Sequence, residues 1–481
     1  MTDLVGLSGV DQAGLIRDKK ISPVDLVQAS LDRIARYDGR LRAWITVDAD
    51  RALAAARQAE QEIARGDYRG PLHGLPYGVK DQMHALGFPT TLGTRVLEAH
   101  ETKPPCDAAV IERLGAAGAI LIGKQNLHEF GKGGTVDFPF GQPRNPWHPD
   151  YSASSSSTGS GIAPAAGMCT FSIGEDTGGS IRGPASCNGV VGLRPTYGRV
   201  SRFGAVMHAY TSDTLGPLAR TVHDAALVLQ AIAGHDPRDP LSSDRPVPDY
   251  AAGLHGDLRG KRIAVVREIA WGSGTSEEVK NAFSAAIEVL RRLGAEIEDV
   301  SLPLAKYAVP LQLLTADADV ASYFLVNYLR DRYERFDVGT RARAAAAALI
   351  PASAYNRAMR ARALVRGQVL DALRNVDALV CPTNVTAPKP IESVQEKISG
   401  EADVIPRLIE RRISLYPFSL SNVPAISVPC GFSRAGLPIG LQFAAKPFDE
   451  VGLFAIACAY EQAAGFRLNA PDLEQTLGIA A

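Results

Sequence analysis

Three stretches of this chain combine residue types and spacing suited to chemistry on a carbonyl group. The clearest is Gly174-Glu175-Asp176-Thr177-Gly178-Gly179-Ser180-Ile181-Arg182. Two glycines directly before a serine allow a tight turn, and successive backbone N–H groups can then converge on an anion. A helix beginning near Ser180 would add its dipole. Such a set of donors is what an oxyanion needs. The same residues also suit a plain Gly-Gly turn with a helix-capping serine. The second stretch is Ser152-Ala153-Ser154-Ser155-Ser156-Ser157-Thr158-Gly159-Ser160-Gly161. Alone it has the composition of a linker, but Asn145-Pro146-Trp147 precedes it and the apolar Ile162-Ala163-Pro164-Ala165-Ala166 follows. The third is His73-Gly74-Leu75-Pro76-Tyr77-Gly78-Val79-Lys80-Asp81. A lysine ending a strand-like run is ordinarily solvated. Held inside, it is desolvated and can serve as a neutral base.

In this order and spacing the three stretches resemble the amidase signature family. That family's pattern is Val-Lys-Asp, then Asn-Pro-Trp leading into a Gly/Ser-rich segment, then Asp-x-Gly-Gly-Ser-Ile-Arg. The runs Gly189–Arg202, Gly216–Val222, Pro424–Gly431 and Gly436–Gln442 fit it as well. The resemblance covers nearly the whole chain and is weakest between about 300 and 415. It implies an α/β fold: a large mixed, mostly parallel central sheet covered by helices on both faces. It also implies a Ser–cisSer–Lys triad. Lys80 matches the lysine and Ser180 the nucleophile. Gapless spacing from Asn145-Pro146-Trp147 and from Gly167 puts the bridging serine at Ser156 and its follower at Ser157. The chain departs from the family here. Ser154 and Ser155 stand where Gly-Gly is usual, and Thr158 replaces another glycine, which leaves the loop less permissive and keeps Ser155 as an alternative register. The backbone N–H groups of Thr177, Gly178, Gly179 and Ser180 match the family's oxyanion hole, a role indifferent to side chains. Ser157, Asp176 and Arg182 match its supporting polar network.

These residue types suit amide cleavage. The Ser180 hydroxyl must lose its proton as it attacks. Ser156 would take that proton and pass its own to Lys80, and the reverse path would protonate the departing nitrogen. For Lys80 to be neutral, burial must lower its pKa by roughly three units, within the range seen for buried lysines. Water then hydrolyses the acyl-enzyme, so no cofactor and no metal are expected. Ser180 lacks a Gly-x-Ser-x-Gly elbow, because Arg182 occupies the last glycine's place. His128-Glu129 does not continue as His-Glu-x-x-His.

The elements that must carry these groups alternate. Ser22-Pro23-Val24-Asp25 predicts a capped helix start, followed by a second helix over about 48–65. Asp107 is placed to cap a helix bearing Val110, Ile111 and Leu114. Thr275 and Glu278 frame another start, ahead of a periodic run to Leu293. Short apolar runs at 119–122, 263–266, 297–302, 378–381, 425–428 and 439–443 predict buried strands. Helices alternating with such runs indicate an α/β fold. Residues 1–481 are read as one domain, with an N-terminal helical region over 1–66 and a variable pocket region over about 300–415. The aromatic candidates for that pocket are Tyr323, Phe324, Tyr328, Tyr355 and Tyr416, joined by the loop 130–134.

Composition narrows the partners. Lys plus Arg is 51 and Asp plus Glu is 52, so nothing favours direct nucleic-acid binding or an anionic membrane. Six scattered cysteines without a C-x-x-C pair argue against a zinc ribbon or a disulfide scaffold. No signal peptide and no bilayer-spanning run is visible, and a cytoplasmic location is expected. The partner expected is a small-molecule amide, with a homodimer as a further expectation. The leading reading is an amidohydrolase that releases ammonia or an amine. The alternatives are the glutaminase component of the tRNA-dependent amidotransferase, its A chain, and a non-catalytic scaffold relative.

Overall fold

The computed structural model describes residues 3–207, 209–254, 256–394 and 412–479. Eleven strands form one sheet: β1 (Trp44–Val47), β2 (Pro76–Lys80), β3 (Ile120–Gln125), β4 (Phe171–Glu175), β5 (Val191–Arg194), β6 (Leu215–Ala219), β7 (Arg262–Val266), β8 (Glu296–Val300), β9 (Ala378–Pro382), β10 (Ala425–Phe432) and β11 (Pro438–Ala444). Their spatial order is β1-β3-β2-β4-β6-β5-β10-β11-β9-β7-β8. The sheet is mixed, as the resemblance implied, with its parallel pairs confined to two flanks. One flank is β3–β2–β4 and the other β9–β7–β8. The centre, from β4 through β6, β5, β10 and β11 to β9, is antiparallel throughout. Parallel pairs are therefore fewer than the sequence led us to expect. A short turn joins β10 to β11, and a parallel pair would need a long crossover there.

Alternation along the strands explains why helices cover both faces. In β7, Ile263 and Val265 join a core with Phe283, Leu229 and Phe454, carried by the helices Glu277–Arg292, Val222–Ile232 and Glu450–Ala464. Their neighbours Ala264 and Val266 point the other way, to Val369 and Phe418 of the helices Ala352–Ala372 and Tyr416–Ser421. A strand buried on both faces reads as a continuous apolar run.

Local signals held unevenly. Ser22 and Asp25 form the capping box at the start of Pro23–Leu41. The helix Ala49–Arg65 is capped by Asp48. Two other caps are not formed. Ala108 occupies the cap position of Ala109–Ala116, because Asp107 instead accepts the Leu86 N–H from a neighbouring loop. Glu277–Arg292 begins after Ser276 without a side-chain cap, since the Thr275 hydroxyl donates to the Ile269 carbonyl. Among the described residues no helix is long and apolar enough to cross a membrane.

Candidate active site

β2 and β4 are parallel neighbours, with Val79 opposite Ile173. Their C-terminal ends therefore emerge on the same side of the sheet, carrying Lys80 and Glu175. The serine-rich stretch leads into the helix Thr158–Ala165, and Ser180 lies between β4 and the helix Arg182–Asn188. Ser157 N–H donates to the Ser180 carbonyl at 3.4 Å, which joins the two serine segments.

Lys80 is fully buried. Its Nζ lies 2.8 Å from Ser156 Oγ and 2.8 Å from Glu175 Oε2. The peptide bond between Ser155 and Ser156 is cis. The Ser155 hydroxyl accepts instead from Arg412 Nη2 at 2.6 Å. The His128 N–H holds the Ser156 carbonyl at 3.2 Å. The His128 ring is partly buried, and desolvation pushes its pKa down to about 3, so it faces this loop uncharged.

Glu175 is the group that sequence reasoning passed over. The sequence alone suggests a lysine made neutral by burial; instead a buried carboxyl touches its nitrogen. Burial pushes the Glu175 carboxyl up, Lys80 opposes this, and Asp213 adds to it. Thr177 has a further role beyond its backbone N–H. Its hydroxyl lies 2.7 Å from Glu175 Oε1 and 2.7 Å from Asp213 Oδ1. Nothing in local spacing marks Glu175, since its role depends on β2 and β4 lying side by side.

The loop before Ser180 is built on Asp176. Its Oδ1 accepts the Gly179 N–H at 2.6 Å and its Oδ2 the Ile181 N–H at 3.2 Å. Arg182 contacts the same carboxylate at 3.0 Å and Arg194 at 3.3 Å. Burial alone would raise this carboxyl, but the two guanidinium groups outweigh it and hold it well below the usual range. Arg182 also reaches Gln442 Oε1 at 2.6 Å and Ser419 Oγ at 2.7 Å, tying the loop to β11 and to the helix Tyr416–Ser421. Ser157 Oγ donates to the Glu175 carbonyl and accepts its N–H, at 3.1 and 3.2 Å. The two glycines are required by space. A Cβ on Gly178 would sit 2.3 Å from the Tyr416 ring. One on Gly179, whose φ is +105°, would sit 2.4 Å from Leu415.

Of the four N–H groups expected in an oxyanion hole, that of Gly179 is committed to Asp176. Thr177, Gly178 and Ser180 line a cavity. The opposite wall comes from the loop at Gly131–Lys132 and from the chain after residue 300, including Gln312, Asp317 and Arg343. Lys132 and Arg343 reach Asp317 at 2.6 and 2.8 Å. Arg412 and Tyr416 complete it. Of the other aromatic candidates, Tyr355 donates to Asp319 at 3.1 Å, and Tyr328 stacks with Phe130. The Phe324 side chain and residues 395–411 of the expected pocket region lie outside the described residues.

The Amidase family model matches residues 25–454. The glutamyl-tRNA(Gln) amidotransferase A chain of Thermosynechococcus vestitus is 40% identical over 479 residues, covering 95% of this chain and 97% of that protein. A structure described as a vestigial protein complex that reveals the origins of an s-triazine catabolic enzyme superposes with a TM-score of 0.88. It is 32% identical and covers 96% of this chain and 100% of the other. Native peptide amidase of Stenotrophomonas maltophilia superposes with a TM-score of 0.82 at 32% identity, covering 97% and 98%. The match of family, fold and sequence along almost the whole length means that this chain belongs to the amidase signature family.

Proposed function

We propose that this chain breaks the C–N bond of a carboxamide through an acyl-enzyme on Ser180, and that the amide is that of glutamine, whose nitrogen leaves as ammonia for a partner protein. The observation that carries the chemistry is the buried 2.8 Å contact between Lys80 Nζ and Ser156 Oγ. In this reading Ser180 Oγ attacks the carbonyl carbon and loses its proton to Ser156 Oγ, which gives its own to Lys80 Nζ. The C–Oγ bond forms as the oxyanion develops against the N–H groups of Thr177, Gly178 and Ser180. Lys80 then returns its proton through Ser156 to the nitrogen as the C–N bond breaks. Water repeats the sequence on the ester and frees Ser180.

The choice of glutamine rests on two supports. Lys132, Arg343 and Arg412 place three cations on the cavity wall against the single carboxylate of Asp317, an excess that suits a substrate with a free carboxylate. The relative that is 40% identical over 95% of the chain is named as the A chain of an amidotransferase. A second reading is a stand-alone amidohydrolase for another small anionic carboxamide. It is favoured by the superposition on native peptide amidase.

Ammonia release from glutamine and from a panel of amides, carbamates and ureas separates the two. Glutamine as the only good substrate, with a co-purifying partner, supports the first. Fast turnover of another amide by the chain alone supports the second. Ser180→Ala is expected to lower turnover at least about 10⁴-fold with an unchanged melting temperature. Wild-type turnover in that variant would overturn both.

A further inference from the structure

The Thr177 hydroxyl sits between two carboxyl groups, 2.7 Å from Glu175 Oε1 and 2.7 Å from Asp213 Oδ1. A hydroxyl has one proton to donate. If both carboxyls were anions, one of these contacts would set lone pair against lone pair. One carboxyl therefore has to supply a proton of its own.

Glu175 is the better holder. It is fully buried at the end of β4, and its carboxyl contacts are the side chains of Lys80 and Thr177. Asp213 accepts the Ala209 N–H at 2.8 Å, a donor that favours an anion. The charged groups facing Glu175 are Lys80 from β2, Asp213 from the loop before β6 and, further off, Arg194 from β5. Arg194 is spent on Asp176. Desolvation and Asp213 both favour the protonated form; Lys80 opposes it, as does the Thr177 hydroxyl when that hydroxyl donates to Glu175.

We propose that Glu175 is a positioning residue for Lys80, held in the resting enzyme as a carboxylic acid whose proton lies on the contact with Thr177. The inference rests on the reading of Lys80 as the base. The proton that an ammonium–carboxylate pair would keep on Nζ resides on Oε1 instead, so none is gained or lost. Every contact is then filled in one direction. Ser156 O–H donates to Lys80 Nζ, Lys80 N–H to Glu175 Oε2, Glu175 O–H to Thr177 Oγ, and Thr177 O–H to Asp213. The amine stays neutral, its lone pair turned to Ser156, through a proton transfer inside the cluster rather than by burial alone. Once Ser156 has passed its proton on, the ammonium finds the Glu175 carbonyl oxygen already in place.

Glu175→Gln copies the neutral acid, with its carbonyl toward Lys80 and its NH₂ toward Thr177. It is expected to lower kcat/KM about tenfold and to move the acidic limb of the pH–rate profile by less than about half a unit. In an ammonium–carboxylate pair that limb belongs to Glu175. The variant would then hand it to the amine, and the limb would rise by about one unit or more. That rise would overturn the proposal. A readout that needs neither turnover nor this variant is infrared spectroscopy of the wild-type protein at pH 8. A carboxylic-acid carbonyl band that shifts in Thr177→Val, where the acceptor is gone, is the expected result. The lack of any such band overturns the inference. Failure of the base reading itself would show separately, as Lys80→Met retaining wild-type turnover.

Discussion

Two lysines on neighbouring strands, Lys80 on β2 and Lys124 on β3, are both fully buried and both touch a carboxyl. Lys80 Nζ lies 2.8 Å from Glu175 and Lys124 Nζ 2.7 Å from Asp81. What separates them is the rest of each shell. Asp81 accepts the Thr91 N–H at 2.8 Å and the Thr91 hydroxyl. A backbone N–H can only donate, so this shell suits an anion. Lys124 spends further protons on the Pro89 carbonyl and Thr90 Oγ, each at 3.2 Å. Burial draws its pKa down and Asp81 draws it back up. The pair thus braces the loop after β2. Around Glu175 the hydroxyl is shared with a second carboxyl, and around Lys80 the other neighbour is a hydroxyl that can itself give a proton. Two lysine–carboxyl pairs therefore suit different ends, one a strut and the other, in the function proposed above, a proton path.

The largest expected effect breaks the catalytic pair. Lys80→Met is expected to lower kcat/KM by about 10³–10⁴-fold, leaving what binding and the oxyanion donors supply. The fold should survive, because Glu175 in the state inferred above is already a neutral acid and the variant strands no buried charge. Ammonia release measured beside a melting curve checks both parts. Lys124→Met should do the reverse. It strands Asp81 in a shell built for an anion, and losing one partner of a buried pair costs about 3–5 kcal/mol. Denaturant titration should show that loss, while kcat in the folded fraction stays within about tenfold of wild type. If Lys124→Met abolished turnover with stability unchanged, the distinction between strut and proton path would fail.

The same contrast shows what the chain discloses without coordinates. Lys80 and Ser180 were legible only jointly: a lysine ending an apolar run and a serine behind Gly178-Gly179 each suit ordinary structure alone, and the order and spacing of the three stretches marked them. Ser156 needed spacing measured from both sides, and the structure puts its hydroxyl, not that of Ser155, on Lys80. Glu175 was in view beside Asp176 yet unassigned, and Asp213 was not considered. Their meeting at Thr177 depends on which strands are neighbours, and that is a property of the sheet. Local caps read well where the cap has no competitor, as at Ser22. They failed at Asp107 and Thr275, where a backbone group from another segment claims the side chain. The antiparallel centre was hidden for a related reason. A run such as Ile439–Phe443 is equally apolar whichever way its neighbour points.

The smallest expected effect comes from a buried glutamate with no lysine beside it, and it isolates what Lys80 does for Glu175. Glu461, on the helix Glu450–Ala464, accepts the Val222 N–H at 2.9 Å. Desolvation pushes its pKa up to about 8, with the Val222 N–H pulling down and Asp224 adding to the rise. A carboxyl raised in the folded state binds its proton more tightly folded than unfolded. Its contribution to stability is complete below the unfolded pKa of about 4.3 and is lost as pH climbs through about 8. Stability should therefore slope downward across that window, by at most about 1.4 kcal/mol per pH unit from this one group. Glu461→Gln, neutral at every pH, should flatten its share of the slope in melting curves taken from pH 5 to 8. Glu175→Gln acts through Lys80 instead: the wild-type pair binds as many protons folded as unfolded, whereas the variant sets a neutral folded amine against an unfolded ammonium and adds an upward slope. An unchanged slope in Glu175→Gln would mean that Lys80 keeps its proton in the folded variant, against the proton transfer inferred for the pair.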